Sequence, residues 1–160
     1  MILNKKGVVV MLFVFGLVFS DVLFSHCQLP CGIFDDPARI KKMEEDITTI
    51  EKSMNEITRL SRDNSPEGQN QIVRWIGNKE EHAEDINQIA MFYFLAQRVL
   101  PVDKSHKDEY QNYLDQLELL HKIIVTSTKT KQMIDLGLVR QLRDLVKSFG
   151  ELYMKSTKQG

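Results

Sequence analysis

Ile40, Met43, Ile47, Ile50, Met54, Ile57 and Leu60 recur at steps of three and four residues. That spacing lines up one side of an α-helix, whereas a half-buried strand would alternate residue by residue. Lys41, Lys42, Glu45, Lys52 and Glu56 fall on the opposite face, so the helix is amphipathic and its apolar side needs a partner. Asp36 reads as the N-cap and Pro37 as the first helical residue. The turn cluster SRDNSPEG (61–68) ends the stripe, and Ser65–Pro66 within it repeats the cap-then-proline start.

A second stripe runs through Ile72, Ile76, Ala83, Ile86, Ala90 and Phe94 and stops before Pro101. It is long for a globular helix, and Gly77 is one candidate position for a bend or break. After the connector PVDKSHKD (101–108), a third helix is expected to carry Tyr110, Leu114, Leu117, His121, Ile124 and Val125. TSTKTK (126–131) reads either as a turn or as a polar stretch. A fourth helix carries Met133, Leu138, Leu142, Leu145, Phe149 and Leu152, with Gly137 and Gly150 lowering its propensity. No strand alternation and no internal repeat stands out. The expected fold is all-α: an up-down four-helix bundle over residues 35–160.

Residues 1–25 read as a cleaved leader. Lys5 and Lys6 give a positive start, VVVMLFVFGLVF (8–19) an apolar stretch, and Ser25 a small residue at the cut. Ser20 and Asp21 interrupt the stretch at the lower limit of membrane-spanning length, so removal is favoured over an anchor. Losing Lys5, Lys6 and Asp21 with the leader moves the formal charge from −1 to −2. Such a balance gives no support to nucleic-acid binding, which needs a basic footprint.

Both cysteines of the chain sit in HCQLPCGIF (26–34), directly after the leader. A disulfide-stapled fold would spread its cysteines, so the bundle relies on its core alone. Cleavage before His26 would give that residue a free α-amine beside its imidazole. Cys27 adds a thiolate and its own backbone amide nitrogen, and Cys31 adds a second thiolate. Leu29–Pro30 suits a tight turn, and Gly32 permits a reversal that other residues find strained. Amine, amide and two thiolates form a flat N2S2 set, which points to nickel(II) or copper(II), since zinc prefers a tetrahedron. The His26 imidazole is placed to add an axial ligand and stabilise the higher oxidation state.

This stretch closely resembles the amino-terminal hook of nickel-containing superoxide dismutases, which reads His-Cys-x-x-Pro-Cys-Gly-x-Tyr. His26, Cys27, Pro30, Cys31 and Gly32 match it position for position. ITTIEKSMNEI (47–57), WIGNKEEHA (75–83) and YFLAQR (93–98) look like segments of a leader-bearing branch of that family. The resemblance implies a leader cut ahead of His26 by a processing protease and a hook over residues 26–34. It further implies a homohexameric bundle with one nickel ion per subunit, cycling between +2 and +3 as superoxide becomes oxygen and hydrogen peroxide. His26, Cys27 and Cys31 would be both metal ligands and catalytic centre. Pro30, Gly32 and Phe34 would shape the hook and wall the pocket.

Two positions depart from the family pattern. Phe34 stands where a tyrosine usually closes the hook, so a hydroxyl that could order water or an anion is missing. Family members hold the axial imidazole between a glutamate and an arginine, and the nearest positions here are Lys41 and His82. A different partner is therefore needed, with His82, Glu44 and Glu45 as candidates.

Other readings are less economical. A local disulfide between Cys27 and Cys31 leaves His26 unexplained. A secreted nickel- or copper-binding helical protein without catalysis would use the same ligands. His121, on an apolar stripe, reads as a hydrogen-bonded core residue and His106 as solvated. Trp75, Phe92 and Phe94 read as core or subunit contact, and Met43, Met54 and Met133 as packing. A leader implies export across a membrane to a periplasm, an organellar lumen or the exterior.

Overall fold

The computed structural model describes residues 32–157. Residues 1–25, expected to be a leader, and the expected hook residues His26, Cys27, Pro30 and Cys31 lie outside the described residues. Four helices follow in order, α1 (Asp36–Leu60), α2 (Pro66–Gln88), α3 (Lys107–Gln132) and α4 (Leu136–Ser156). α2 continues without a break into a π-helical segment, Ile89–Arg98. No strand occurs among the described residues, and none of their helices is long and apolar enough to cross a membrane.

Short connections force neighbouring helices to run antiparallel. α1 packs on α2, α2 on α3, α3 on α4, and α4 closes back on α1. The all-α up-down bundle is thus as the apolar stripes require. Met43, Ile47, Ile50 and Met54 of α1 are fully buried, as are Ala83, Ile86, Ala90 and Phe94 of the second stripe. Burying each large side chain contributes about 1.5–3 kcal/mol. Phe94 makes edge-on contacts with Phe149 and Tyr153 of α4, tying the end of the second helical run to the last helix.

Local signals settle the helix starts. Asp35, not Asp36, caps α1: its carboxylate accepts from the Ala38 N–H at 3.1 Å. Asp36 is drawn away to side chains of other elements. Ser65 caps α2 as expected, accepting from Gly68 N–H at 3.0 Å. Gly77 does not break α2; the irregularity comes at Ile89, where the helix widens.

The third stripe is out of phase with the core. α3 buries Gln116, Leu120, Ile123, Thr126, Ser127 and Thr130, whereas His121, Leu114 and Val125 are exposed. Polar residues take core positions because their groups find partners. Ser127 Oγ donates to Ala83 O at 2.7 Å, and Gln116 Nε2 donates to Ser156 Oγ at 3.2 Å. TSTKTK is therefore the last part of a helix. Met133 is the residue just past it and is half exposed, so it does not pack in the core. Gly150 lies inside α4, where a Cβ would come within 3.2 Å of Ile40 Cγ2, so its small size lets α4 approach α1.

Candidate metal centre and its anchor

The chain enters the bundle through Gly32, Ile33 and Phe34. Gly32 has φ +77°, a left-handed conformation that glycine adopts without strain. Ile33 faces solvent. The Phe34 ring meets the edge of Tyr93, with centroids 5.9 Å apart, and the Arg98 guanidinium lies over it at 4.5 Å. Two positions on, Asp36 Oδ1 accepts from Tyr93 Oη at 2.6 Å and from Arg98 Nε at 2.9 Å. Asp36 Oδ2 accepts from Arg98 Nη2 at 2.7 Å and from Tyr153 Oη at 2.9 Å. The guanidinium and carboxylate thus meet as a two-pronged fork, the strong form of such a pair.

Burial works against charge on Asp36, but the hydrogen bonds from Arg98, Tyr93 and Tyr153 outweigh it and hold its carboxyl below the usual value. Burial, and then the facing carboxylate, push the Tyr153 phenol up to about 12 and raise that of Tyr93 too. Hydrogen bonding to Asp36 likewise raises Arg98.

The π-helical segment makes this possible. Tyr93 and Arg98 are five residues apart, which in an α-helix puts them about 140° from each other around the axis. A π-helix bonds i to i+5, so residues at that spacing share a face. The Val99 N–H donates to Phe94 O at 2.8 Å, a bond of that register at the segment's end.

Further along the bundle, α1 and α2 bring Lys42, Asp46, His82 and Asp85 together. Ten residues separate Asp46 from Asp36, about 15 Å along the helix. His82 Nδ1 donates to Asp46 Oδ1 at 2.6 Å. The Lys42 ammonium bonds to Asp46 and, at 3.2 Å, to Asp85. Burial opposes the Lys42 charge, but the two carboxylates outweigh it and raise its pKa. Asp46 is 1 % exposed, and its Oδ2 has no hydrogen-bond partner among the described residues. Glu44 and Glu45 are exposed; Glu45 lies 3.7 Å from Lys41, and Glu44 borders a shallow groove between α1 and α4. His82 is therefore gathered with a carboxylate, but it is Asp46, and neither glutamate joins it.

The sequence matches the family described as nickel-containing superoxide dismutase over residues 22–158. The chain belongs to that family. Comparison with curated proteins and with solved structures returned no match. The matched region takes in the hook residues and all four helices, so a nickel-dependent dismutase of superoxide is built here on a helical bundle.

The dismutase offers two sets of donors. One imidazole and two carboxylates come from His82, Asp46 and Asp85, whose ligand atoms all lie within 4.8 Å of one another. That set has no sulfur, and Lys42 already supplies its cation. The thiols of Cys27 and Cys31 and the imidazole of His26 are donor types that suit nickel, and they lie outside the described residues. The cluster of Asp36, Tyr93, Arg98 and Tyr153 in the dismutase is not foreseen from the helical stripes. Asp46 had one available signal: a carboxylate one position before Ile47, on the apolar side of α1.

Proposed function

We propose that His26, Cys27 and Cys31 carry the nickel of this dismutase, one ion per subunit, after removal of residues 1–25. The single observation behind this assignment is the run HCQLPCG, lying within the family match and leading directly into the Gly32–Asp36 anchor. When bound, the nickel supplies one-electron cycling between +2 and +3. The chain's own part would be to hold the metal with the amine and imidazole of His26, the amide and thiolate of Cys27 and the thiolate of Cys31, and to admit a small anion. Two superoxide anions and two protons yield one oxygen and one hydrogen peroxide, so no nucleophile or acid–base dyad in the helices is required. Phe34 contributes an apolar wall. His82, Glu44 and Glu45 remain the candidates for holding the imidazole, with His82 favoured by its partly buried place beside Asp46.

The same reading includes a homohexamer, a leader-processing protease and export across a membrane, with membrane attachment only where the leader is retained. Native mass spectrometry of the protein from its own source tests these together. The expected species starts at His26 and holds one nickel per subunit in a hexamer. A chain that keeps Ser25 lacks the terminal amine and rules out the ligand set.

A further inference from the structure

We propose that Asp36 and Arg98 form a lock that sets the path of the chain into the nickel hook, making both of them positioning residues for the dismutase. The inference rests on the hook reading above and adds the residues that aim it.

Asp36 is not spent on its own helix, because Asp35 does the capping. Its carboxylate instead takes four hydrogen bonds from three side chains on the π-helical segment and α4. One such bond would hold a helix end in place; four from two other elements over-determine it. The same two side chains, Tyr93 and Arg98, also grip Phe34 by ring edge and by guanidinium. Positions 34 and 36, flanking the cap, are thereby fixed to one surface. Gly32 then turns the chain, one residue from Cys31. Terminal segments are poorly ordered unless tied down, and metal affinity depends on ligands being held by the groups behind them. The lock supplies that tie next to the second thiolate.

The π register supports a special role. Such segments are uncommon and are frequently found at functional sites. Here the widening is what brings residues 93 and 98 to one face, where both reach Asp36.

The test uses the full mature chain starting at His26, as wild type and as Arg98→Met, Arg98→Lys, Asp36→Asn and Cys31→Ser. Nickel affinity of the metal-free protein is measured by chelator competition, the nickel(III) electron paramagnetic resonance spectrum is recorded after loading, and helix melting is followed by circular dichroism. Arg98→Met is expected to weaken nickel binding by about tenfold or more and to alter the resonance spectrum. Arg98→Lys restores the charge but not the fork and should fall between the two. If Arg98→Met fails to fold, Asp36→Asn keeps the shape and one acceptor and carries the same expectation. Wild-type affinity and an unchanged spectrum in these variants, with only the melting temperature lowered, would overturn the lock. Cys31→Ser separates the two readings: unchanged nickel binding there overturns the hook itself, and the lock with it. Lost binding there beside normal binding in Arg98→Met overturns the lock alone.

Discussion

The Lys79 ammonium of α2 donates to the backbone carbonyls of Thr130 and Lys131, the latter at 2.6 Å. Those carbonyls belong to the last turn of α3, which has no donors of its own for them. A lysine from one helix thus closes the end of another, where a positive charge also suits the helix dipole. Lys79 is 2 % exposed, and burial lowers its pKa. Replacing it with Met keeps the volume but leaves two carbonyls unpaired. Urea unfolding should show Lys79→Met to be less stable by about 1–3 kcal/mol. Equal stability would mean that the ammonium gains no more from the carbonyls than its burial costs.

Acid should weaken the anchor in a defined direction. The Asp36 carboxyl in the fold lies below its ordinary 3.8. Its stabilisation is therefore fully present above 3.8 and is lost as the pH falls through the lowered folded value. The stability difference between wild type and Asp36→Asn should stay level at neutral and mildly acid pH, then shrink below 3.8. Urea midpoints taken at a series of pH values measure it, and a difference that grew on acidification would contradict the assignment.

Lys42 behaves in the opposite sense. Its folded pKa lies above the ordinary 10.5, so its contribution is complete below 10.5 and is lost as the pH rises through the raised folded value. Lys42→Met leaves Asp46 buried with His82 as its remaining partner. The ammonium is 40 % exposed, which reduces the loss, so about 1–2 kcal/mol is expected at neutral pH. Thermal melts at neutral and strongly alkaline pH should show the gap between the two proteins narrowing in alkali.

On the proposed ligand set, dismutation should fail altogether in Cys27→Ser and Cys31→Ser, because each would remove a thiolate from the metal. His26→Ala keeps the terminal amine but loses the imidazole, and it should load nickel while giving a diminished nickel(III) signal. A superoxide-consumption assay beside electron paramagnetic resonance distinguishes these outcomes. Full activity in either serine variant would exclude the ligand set.

The first two apolar stripes located their helices because most of their own members are hydrocarbon side chains buried in the core. α3 escaped this logic. Its inward face carries Gln116, Thr126, Ser127 and Thr130, which hydropathy sends outward, and only partners such as Ala83 O and Ser156 Oγ on other helices make some of them acceptable inside. The family was legible in HCQLPCGIF for the opposite reason: the residue types and spacing there are local. The Asp36–Arg98 fork was not, since the two are 62 residues apart. Their meeting depends on a helical register that no residue pattern in IAMFYFLAQR announces.

The widened helix also makes the anchor a matter of arithmetic as well as chemistry. Each residue of an α-helix turns the chain by about 100°. Deleting a single residue between Tyr93 and Arg98 would leave them four apart, and ordinary helical winding would then set them about 40° from each other, still on one face. The wide turn thus accommodates one extra residue in the interval, and a homologue with both side chains and one residue fewer there would present the same pair from an ordinary α-helix.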